Sequence, residues 1–304
     1  MAIPIPSAPV ELVQDWEVPE QVGLWTDVWR RFRRNRLAVA GGAIVVVLVL
    51  DALLAGLLVQ LGLVQDPIRQ HVELSLSGPS AQHFLGTDFL GRDTLSRLMF
   101  GARISLTIGI LVQGIYVVIG GTIGLVAGYA GGRVDNLLMR FTDIWYAFPD
   151  LLFVLVLVSV FGPSLLSIFV AIGLVNWVGL ARLVRGQVLS IKEKEFVESA
   201  RAVGSSDLKI VLRHLLPNAL GPVIVTLTFG IPAAIFLEAA LSYLGVGIQP
   251  PTPSWGVMIL DGYEAIYASP WQVLFPGIAI AITMLSFSFV GDGLRDALDP
   301  RMRR

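Results

Sequence analysis

The sequence predicts an all-α polytopic membrane protein with six transmembrane helices, and three observations predict it. Of 304 residues, 55% are apolar and only 15% are charged, well below the roughly 25% charge of soluble domains. Charge-free runs occupy 104–132, 151–181, 215–237 and 265–291, and about 20 apolar residues rising about 1.5 Å each are enough to cross roughly 30 Å of hydrocarbon. The 22 basic residues divide 18 to 4 between the two sides that these spans define.

Residues 1–23 are acidic and carry several prolines before any apolar run, so no cleavable signal peptide is expected and the first span serves as its own insertion signal. Residues 24–36 place Trp25, Val28, Trp29 and Phe32 on one helical face with arginines around the rest. That pattern fits an interfacial helix on the inner leaflet or an ordinary positive-inside anchor. The first span runs from Leu37 to about Leu63, interrupted by Asp51, and the second from Ile104 to Tyr129. Within the second, Gly120, Gly124 and Gly128 recur every four residues. The spacing lets another helix, of this chain or of a partner, approach to van der Waals distance. Ile144 to Leu180 is too long for one helix, and Gly162-Pro163-Ser164 supplies the turn that makes it two. The fifth span runs from about Leu216 to Leu244 and the sixth from about Val273 to Val290.

An even number of spans puts both termini on one side, and the excess of Lys and Arg makes that side cytoplasmic. The outer side receives Arg69, Arg92, Arg97 and Arg103, all in the first loop and offset by Asp66, Glu73, Asp88 and Asp93. Four acids fall at membrane depth: Asp51, Asp143, Asp150 and Glu238. Each costs something like 2.5–3.5 kcal/mol at a helix centre, so each faces protein or water, as a structural contact or as lining of an aqueous path. Arg140 near Asp143 suggests a local ion pair. Glu238 is the leading path candidate, because Gly230 and Pro232 loosen its helix, and Asp150 is the second.

Several chemistries have no residues to stand on. A P-loop needs Gly-Lys-Ser/Thr, and the lysines, Lys192, Lys194 and Lys209, have no such neighbours. There is no cysteine, and His71, His83 and His214 are scattered over both sides, so no metal, cofactor or nucleophile is expected on this chain. A net charge of -1 argues against a nucleic-acid partner.

The inner loop from Arg182 to Leu215 is too long for a simple connection and carries seven basic residues. From Lys194 the pattern puts Phe196, Ala200 and Val203 on one helical face and Lys194, Glu195, Glu198 and Arg201 on the other. Gly204 supplies a left-handed end, and Ser205 or Ser206 with Asp207 opens a second helix. A short amphipathic helix with small residues on its exposed side suits a groove on a soluble partner.

Glu198-Ser199-Ala200, Gly204 and Leu216-Pro217 resemble the EAA loop of the membrane subunits of ATP-binding cassette importers, with Ser199 where a second Ala is usual and His214 where Ile is usual. The resemblance extends through Gly86-Thr87-Asp88, Gly91-Arg92-Asp93, Ser96-Arg97, Gly101-Ala102-Arg103-Ile104-Ser105-Leu106, Ala181-Arg182 with Val184-Arg185, Arg213 to Asn218, Glu238-Ala239 with Leu241 to Gly245, Pro250-Pro251 with Pro253-Ser254-Trp255-Gly256, and Gly291 to Pro300. These residues are similar to the C-type permease subunits of dipeptide, oligopeptide and nickel importers, in which His214 is typical.

The resemblance implies a type I importer permease fold. Its parts would be a cytoplasmic segment at 1–36, a first helix and outer loop at 37–101, a transport core at 102–291 with its coupling loop at 182–215, and a cytoplasmic tail at 292–304. It implies a multi-pass protein of a bacterial or archaeal cytoplasmic membrane that moves peptides. The implied partners are a second, related permease, two ATPase subunits that bind the ATP and magnesium, an extracytoplasmic substrate-binding protein, and membrane lipid. Phe196, Glu198, Ser199, Ala200, Val203, Gly204, Leu216 and Pro217 would then couple to the ATPases. Trp255 and Trp271, in a basic-free, proline-rich outer segment at 245–272, would dock the binding protein or sit in a membrane-interface belt. A self-contained ion-coupled carrier or channel is the rival, but no inverted repeat with broken helices is visible.

Because the chain has no cysteine, the topology has a direct test. Single cysteines at Ser206 and Ser254 should react with an impermeant maleimide from opposite sides of sealed vesicles, and reaction from one side alone would overturn it.

Overall fold

The structure, a computed structural model, describes residues 23–299; the acidic stretch at 1–22 and the last residues of the tail, 300–304, lie outside them. Among the described residues the regular elements are helices, with one isolated antiparallel bridge between Thr87 and Asp93. In chain order they are α1 (Leu24–Phe32), α2 (Arg36–Gln60), α3 (Thr94–Ala130), α4 (Gly132–Tyr146), α5 (Asp150–Phe161), α6 (Leu165–Val175), α7 (Val178–Lys192), α8 (Glu195–Ala202), α9 (Asp207–Tyr243), α10 (Trp255–Glu264) and α11 (Trp271–Leu298). Four of these, α2, α3, α9 and α11, are long and apolar enough to cross a membrane, and the count is six if the bent pairs α4–α5 and α6–α7 are one span each.

Three boundaries differ from the sequence reading. The third span does not begin at Ile144: α4 carries that residue, and α5 starts at Asp150 after Pro149, the two helices meeting at 82°. Phe148 precedes a proline and is thereby pushed out of helical backbone, which places the break there. With 12 residues, α5 reaches only about 18 Å at about 1.5 Å per residue. The fifth span does not begin at Leu216. It is continuous from Asp207, passing through a π turn at Val211–Leu215. Pro217 has no N–H to give to the carbonyl four residues back, and the wider turn lies just ahead of it. The fourth span likewise continues past Leu180, since α7 runs to Lys192.

Side-chain caps start the helices where polar residues meet the apolar runs. Asn35 accepts from the amides of Leu37 and Ala38 at 3.1 Å each, Asp93 from Ser96 at 2.8 Å, Ser164 from Ser167 at 3.1 Å and Ser254 from Val257 at 3.2 Å. Gly162, at φ +81°, ends α5 in the turn expected there.

Packing follows small residues. α2 lies along α11, its buried face made of Ala38, Gly41, Ala52 and Ala55. α1 rests on the C-terminal part of α11, where a Cβ on Gly293 would stand 3.2 Å from the Phe32 ring; Val28 is buried, and Trp25 and Trp29 are left exposed beside Arg33, which stands 5.7 Å over the Trp29 ring. The glycine stripe of α3 meets α7 of the same chain. A Cβ on Gly124 would stand 2.9 Å from the Val184 Cβ and closer still to the Ala181 carbonyl, and one on Gly128 would stand 2.8 Å from the Val188 Cβ.

Gly124→Leu should therefore force α3 and α7 apart, costing at least the roughly 1–3 kcal/mol of an overpacked core. Gly114→Ala, where no atom lies within 4 Å of the new Cβ, should be silent. Thermal unfolding in detergent will separate the two, and equal melting points would refute this packing.

Candidate functional site

The inner loop folds as the sequence predicts in outline. α8 ends in a paired-bond motif: the Ser205 amide donates to the Ala200 carbonyl at 3.0 Å and the Gly204 amide to the Arg201 carbonyl at 2.9 Å, with Gly204 at φ +81°. Ser206 is the N-cap residue of α9 through its backbone and makes no side-chain cap bond. The face assignment needs one correction. Phe196, Ala200 and Val203 do not share one environment, because the residue that anchors α8 is Val197, fully buried with Val188, Ile191, Ile210 and Leu215. Ala200 packs beside that cluster, while Phe196 is 44% and Val203 87% exposed. Residues seven apart share a helical face, so these two form one exposed apolar stripe. Glu198 and Ser199 are exposed, and the Ser199 hydroxyl donates to the Glu195 carbonyl at 2.8 Å, so the departure from Ala is absorbed within the helix. Leu216 and Pro217 are exposed on α9, and Phe196 lies 6.1 Å from the His214 ring.

Two ion pairs tie α7 to α4. Arg185 grips Asp135 bidentately at 2.5 and 2.6 Å, and Arg182 holds Asp143 at 2.8 Å while lying 4.7 Å over the Tyr146 ring. The expected partner of Asp143, Arg140, is replaced by Arg182, which α7 brings alongside.

At the N-terminal end of α3, a buried polar knot joins the α2–α3 loop to α3, α10 and α11. Arg92 donates to Asp88 at 2.6 Å and to Asp261 at 3.0 Å, and Arg97 lies 3.3 Å from Asp88 and 3.0 Å from Asp261. His83 meets Asp93 at 2.8 Å, and the Gln272 amide donates to the Thr87 carbonyl at 2.8 Å. Burial pushes the Asp261 carboxyl up, against the pull of Arg97 and Arg92. Asp261 and Gln272 were not legible as site residues: their partners lie over 160 positions away, and the one available signal was an outer loop with unusually many arginines.

The membrane-depth candidates separate. Glu238 is fully buried and accepts from Ser242 at 2.8 Å and Ser105 at 3.1 Å, so here it is a contact between α9 and α3. Asp150 is exposed in the first turn of α5, where a carboxylate complements the helix dipole. Asp51 is half-buried on α2. Trp255 is 1% exposed, its indole donating to the Leu98 carbonyl at 3.0 Å against Gly101, and it cannot present itself to a docking protein. Trp271 is 52% exposed and stacked on Phe275. Ser254 is fully buried as the cap of α10, so the outer topology reporter belongs at Tyr267, which is fully exposed. Among the described residues no group of three or more His, Asp or Glu could hold a metal.

Apolar helices long enough to span a membrane, a buried polar knot at one end of α3 and a short amphipathic helix beside its other end form the frame of a multi-pass membrane protein, and the family it matches makes that protein a transport permease. The chain belongs to the family of binding-protein-dependent transport system inner membrane components, which residues 120–304 match; residues 23–79 match the N-terminal transmembrane domain of oligopeptide transport permease C. The dipeptide transport system permease protein DppC of Bacillus subtilis (strain 168) is 45% identical over 279 residues, 91% of this chain and 86% of that one. The oligopeptide transport system permease protein OppC of Escherichia coli (strain K12) is 45% identical over 280 residues, 92% of each chain. A solved inward-facing structure of the MetNI methionine ABC transporter shares the fold at a TM-score of 0.53 and 17% identity, covering 67% of this chain and 96% of its own.

Removing one charge from the outer knot should be expensive, since it leaves a buried carboxylate uncompensated. Arg97→Met should lower stability by about 3–5 kcal/mol, read as detergent unfolding, whereas Arg103→Met outside the knot should change it little. Indistinguishable variants would mean that the knot is ornamental.

Proposed function

We propose that this chain is one of two related permease subunits of a peptide importer. With both termini in the cytoplasm, it would turn ATP hydrolysis by two separate ATPase subunits into alternating access, for cargo delivered outside by a binding protein. It binds no ATP itself, and the nucleotide and magnesium belong to the ATPases. Short peptides are the cargo class, because relatives named for dipeptides and for oligopeptides are equally similar, at 45% identity.

The observation that carries this reading is the exposed stripe of α8. Phe196 and Val203 project from a helix anchored along another face by Val197, and a monomer has no reason to hold two large apolar side chains in water on a fixed helix. A groove on a soluble ATPase supplies the missing burial. Glu198, Ser199, Ala200 and Gly204 shape that helix and its turn, and Leu216 and Pro217 form the shoulder behind it. On the outer side, Trp271 is the docking candidate that the fold leaves available. Glu238 is assigned to positioning α9 against α3, and Asp150 is kept as the path candidate.

Val203→Arg tests the reading on a side chain with little to lose internally. The variant should insert, melt like the wild type and leave cargo binding to the isolated binding protein unchanged. It should release the ATPases from the membrane and cut uptake at least tenfold. A variant that keeps its ATPases and transports normally would make α8 a mere connector. Cysteines at Ser206 and Tyr267 that react from the same side of sealed vesicles would remove the orientation on which docking depends.

A further inference from the structure

Two breaks on the inner side of the helix bundle adjoin. α3 widens into a π turn at Val117–Gly121, and α6 and α7 meet at 44° across Asn176 and Trp177. A Cβ on Gly120 would stand 2.5 Å from the Trp177 carbonyl oxygen and 3.1 Å from the Ala181 amide nitrogen, so the π turn rests on the bend. A π turn departs from the regular hydrogen-bond ladder and frequently marks a functional position in a helix.

Inward of these breaks, the last two turns of α3 are fastened on several sides. Gly124 and Gly128 seat against Ala181, Val184 and Val188, and the Lys192 ammonium donates to the Gly128 carbonyl at 2.9 Å. α4, which follows α3 through Gly131 at φ +64°, is held to α7 by Arg185 and Asp135. This inner part of α3 is therefore tied to α7 and α4.

Tyr129 links that body to the docking helix. Its ring packs on the cluster that contains Val197, Ile210 and Leu215, and its hydroxyl donates to the Asp207 carboxylate at 2.6 Å. The Arg201 guanidinium lies 6.0 Å from the ring centroid. Arg201 is in the last turn of α8 and Asp207 in the first turn of α9, so one phenol on α3 holds both sides of the Gly204 turn.

We propose that Tyr129 is a positioning residue of the transport cycle: by holding Asp207 and Arg201 it joins α8 to the inner end of α3, so that displacement of α8 bends α3 at Val117–Gly121 as well as moving α9. The proposal rests on α8 being the docking helix. The covalent connections alone would send the stroke into α7, which ends two residues before α8, and into α9, which follows it. Through Tyr129 it also enters the inner end of α3 directly, at the Gly204 turn, in step with α7 and with α4, which the Arg185–Asp135 pair ties to α7.

The test uses the complete transporter in proteoliposomes, with its second permease, ATPases and binding protein. Tyr129→Phe removes the hydroxyl and keeps the ring, and Asp207→Asn weakens the same bond from the other side. Each should leave assembly and basal ATP hydrolysis within twofold of the wild type and lower the peptide transported per ATP at least fivefold, and the double variant should be no worse than either. Spin labels on Ile110→Cys and Val126→Cys, both on exposed positions of α3, should show a nucleotide-dependent distance change that Tyr129→Phe abolishes. A brace that merely stabilised the fold would lower the amount of complex and leave the transport-to-hydrolysis ratio alone. A normal ratio with the distance change intact in Tyr129→Phe, while Val203→Arg still abolishes uptake, overturns the role of Tyr129 and leaves the docking reading standing. Normal uptake by Val203→Arg overturns both. If Tyr129→Phe fails to assemble, Asp207→Asn decides by the same ratio.

Discussion

The contact on which the inner half of this protein depends is the seam between α3 and α7. Helices surrounded by lipid gain little from burying apolar side chains against one another, because hydrocarbon is already apolar; they associate where backbones come close enough for dense van der Waals contact. Gly120, Gly124 and Gly128 provide that closeness over about two turns, and the carbonyls of Trp177, Ala181 and Arg185 occupy the space that side chains would have filled. The seam fixes α7, and α7 in turn carries Arg182 and Arg185 to the acids of α4 and Lys192 to the end of α3. α8 has only eight residues and could not persist alone in water. It exists because Val197 enters a cluster whose other members stand on α7 and α9.

The outer half is held by different physics. There the loop between α2 and α3 and the segment leading into α11 are joined by charged and amide groups removed from water. Two carboxylates and two guanidiniums are arranged so that each carboxylate meets both arginines. Such a knot contributes little net energy compared with an apolar core but is costly to break one member at a time. It therefore resists partial rearrangement. Glu238 repeats the logic one layer deeper, holding α9 to α3 through Ser105 while Ser242 also receives the Ile248 amide. The directional outer network lies on one side of the π turn in α3, and the close-packed seam begins within that turn at Gly120.

The sequence made the spans legible because hydrocarbon imposes a length and a composition that few other environments demand. The loop that carries α8 was legible because the Gly204 turn and the caps around it are local. The boundaries that differed, at Asp150 and Asp207, depend on proline: Pro149 ends what hydropathy alone would continue, and Pro217 leaves the helix unbroken where it would be expected to start. Arg140 and Arg182 are equally plausible partners for Asp143 by charge, and only the bend between α6 and α7 decides for Arg182. Val197 escaped notice because a short amphipathic helix offers two apolar faces, and the tertiary contact chooses between them. Trp255 illustrates the same limit. Aromatic residues in an outer segment suggest an interface, yet Gly101 opens a slot on α3 that draws this one inside.

That an inner helix is both firmly based and incompletely buried follows from these contacts together. If α8 were anchored through all its apolar residues, it would offer a partner nothing; if it were anchored through none, a force applied to it would be lost in its own disorder. Val197 and Ala200 face the protein, while Phe196 and Val203 do not, and the Gly204 turn, with Tyr129 against Asp207 and Arg201, holds the two sides in fixed relation. A stroke delivered to such a helix meets a rigid body instead of a loop. How far it travels is then set by where the neighbouring helices yield, and the π turns and the bend at Trp177 are places where the helical ladder departs from regularity.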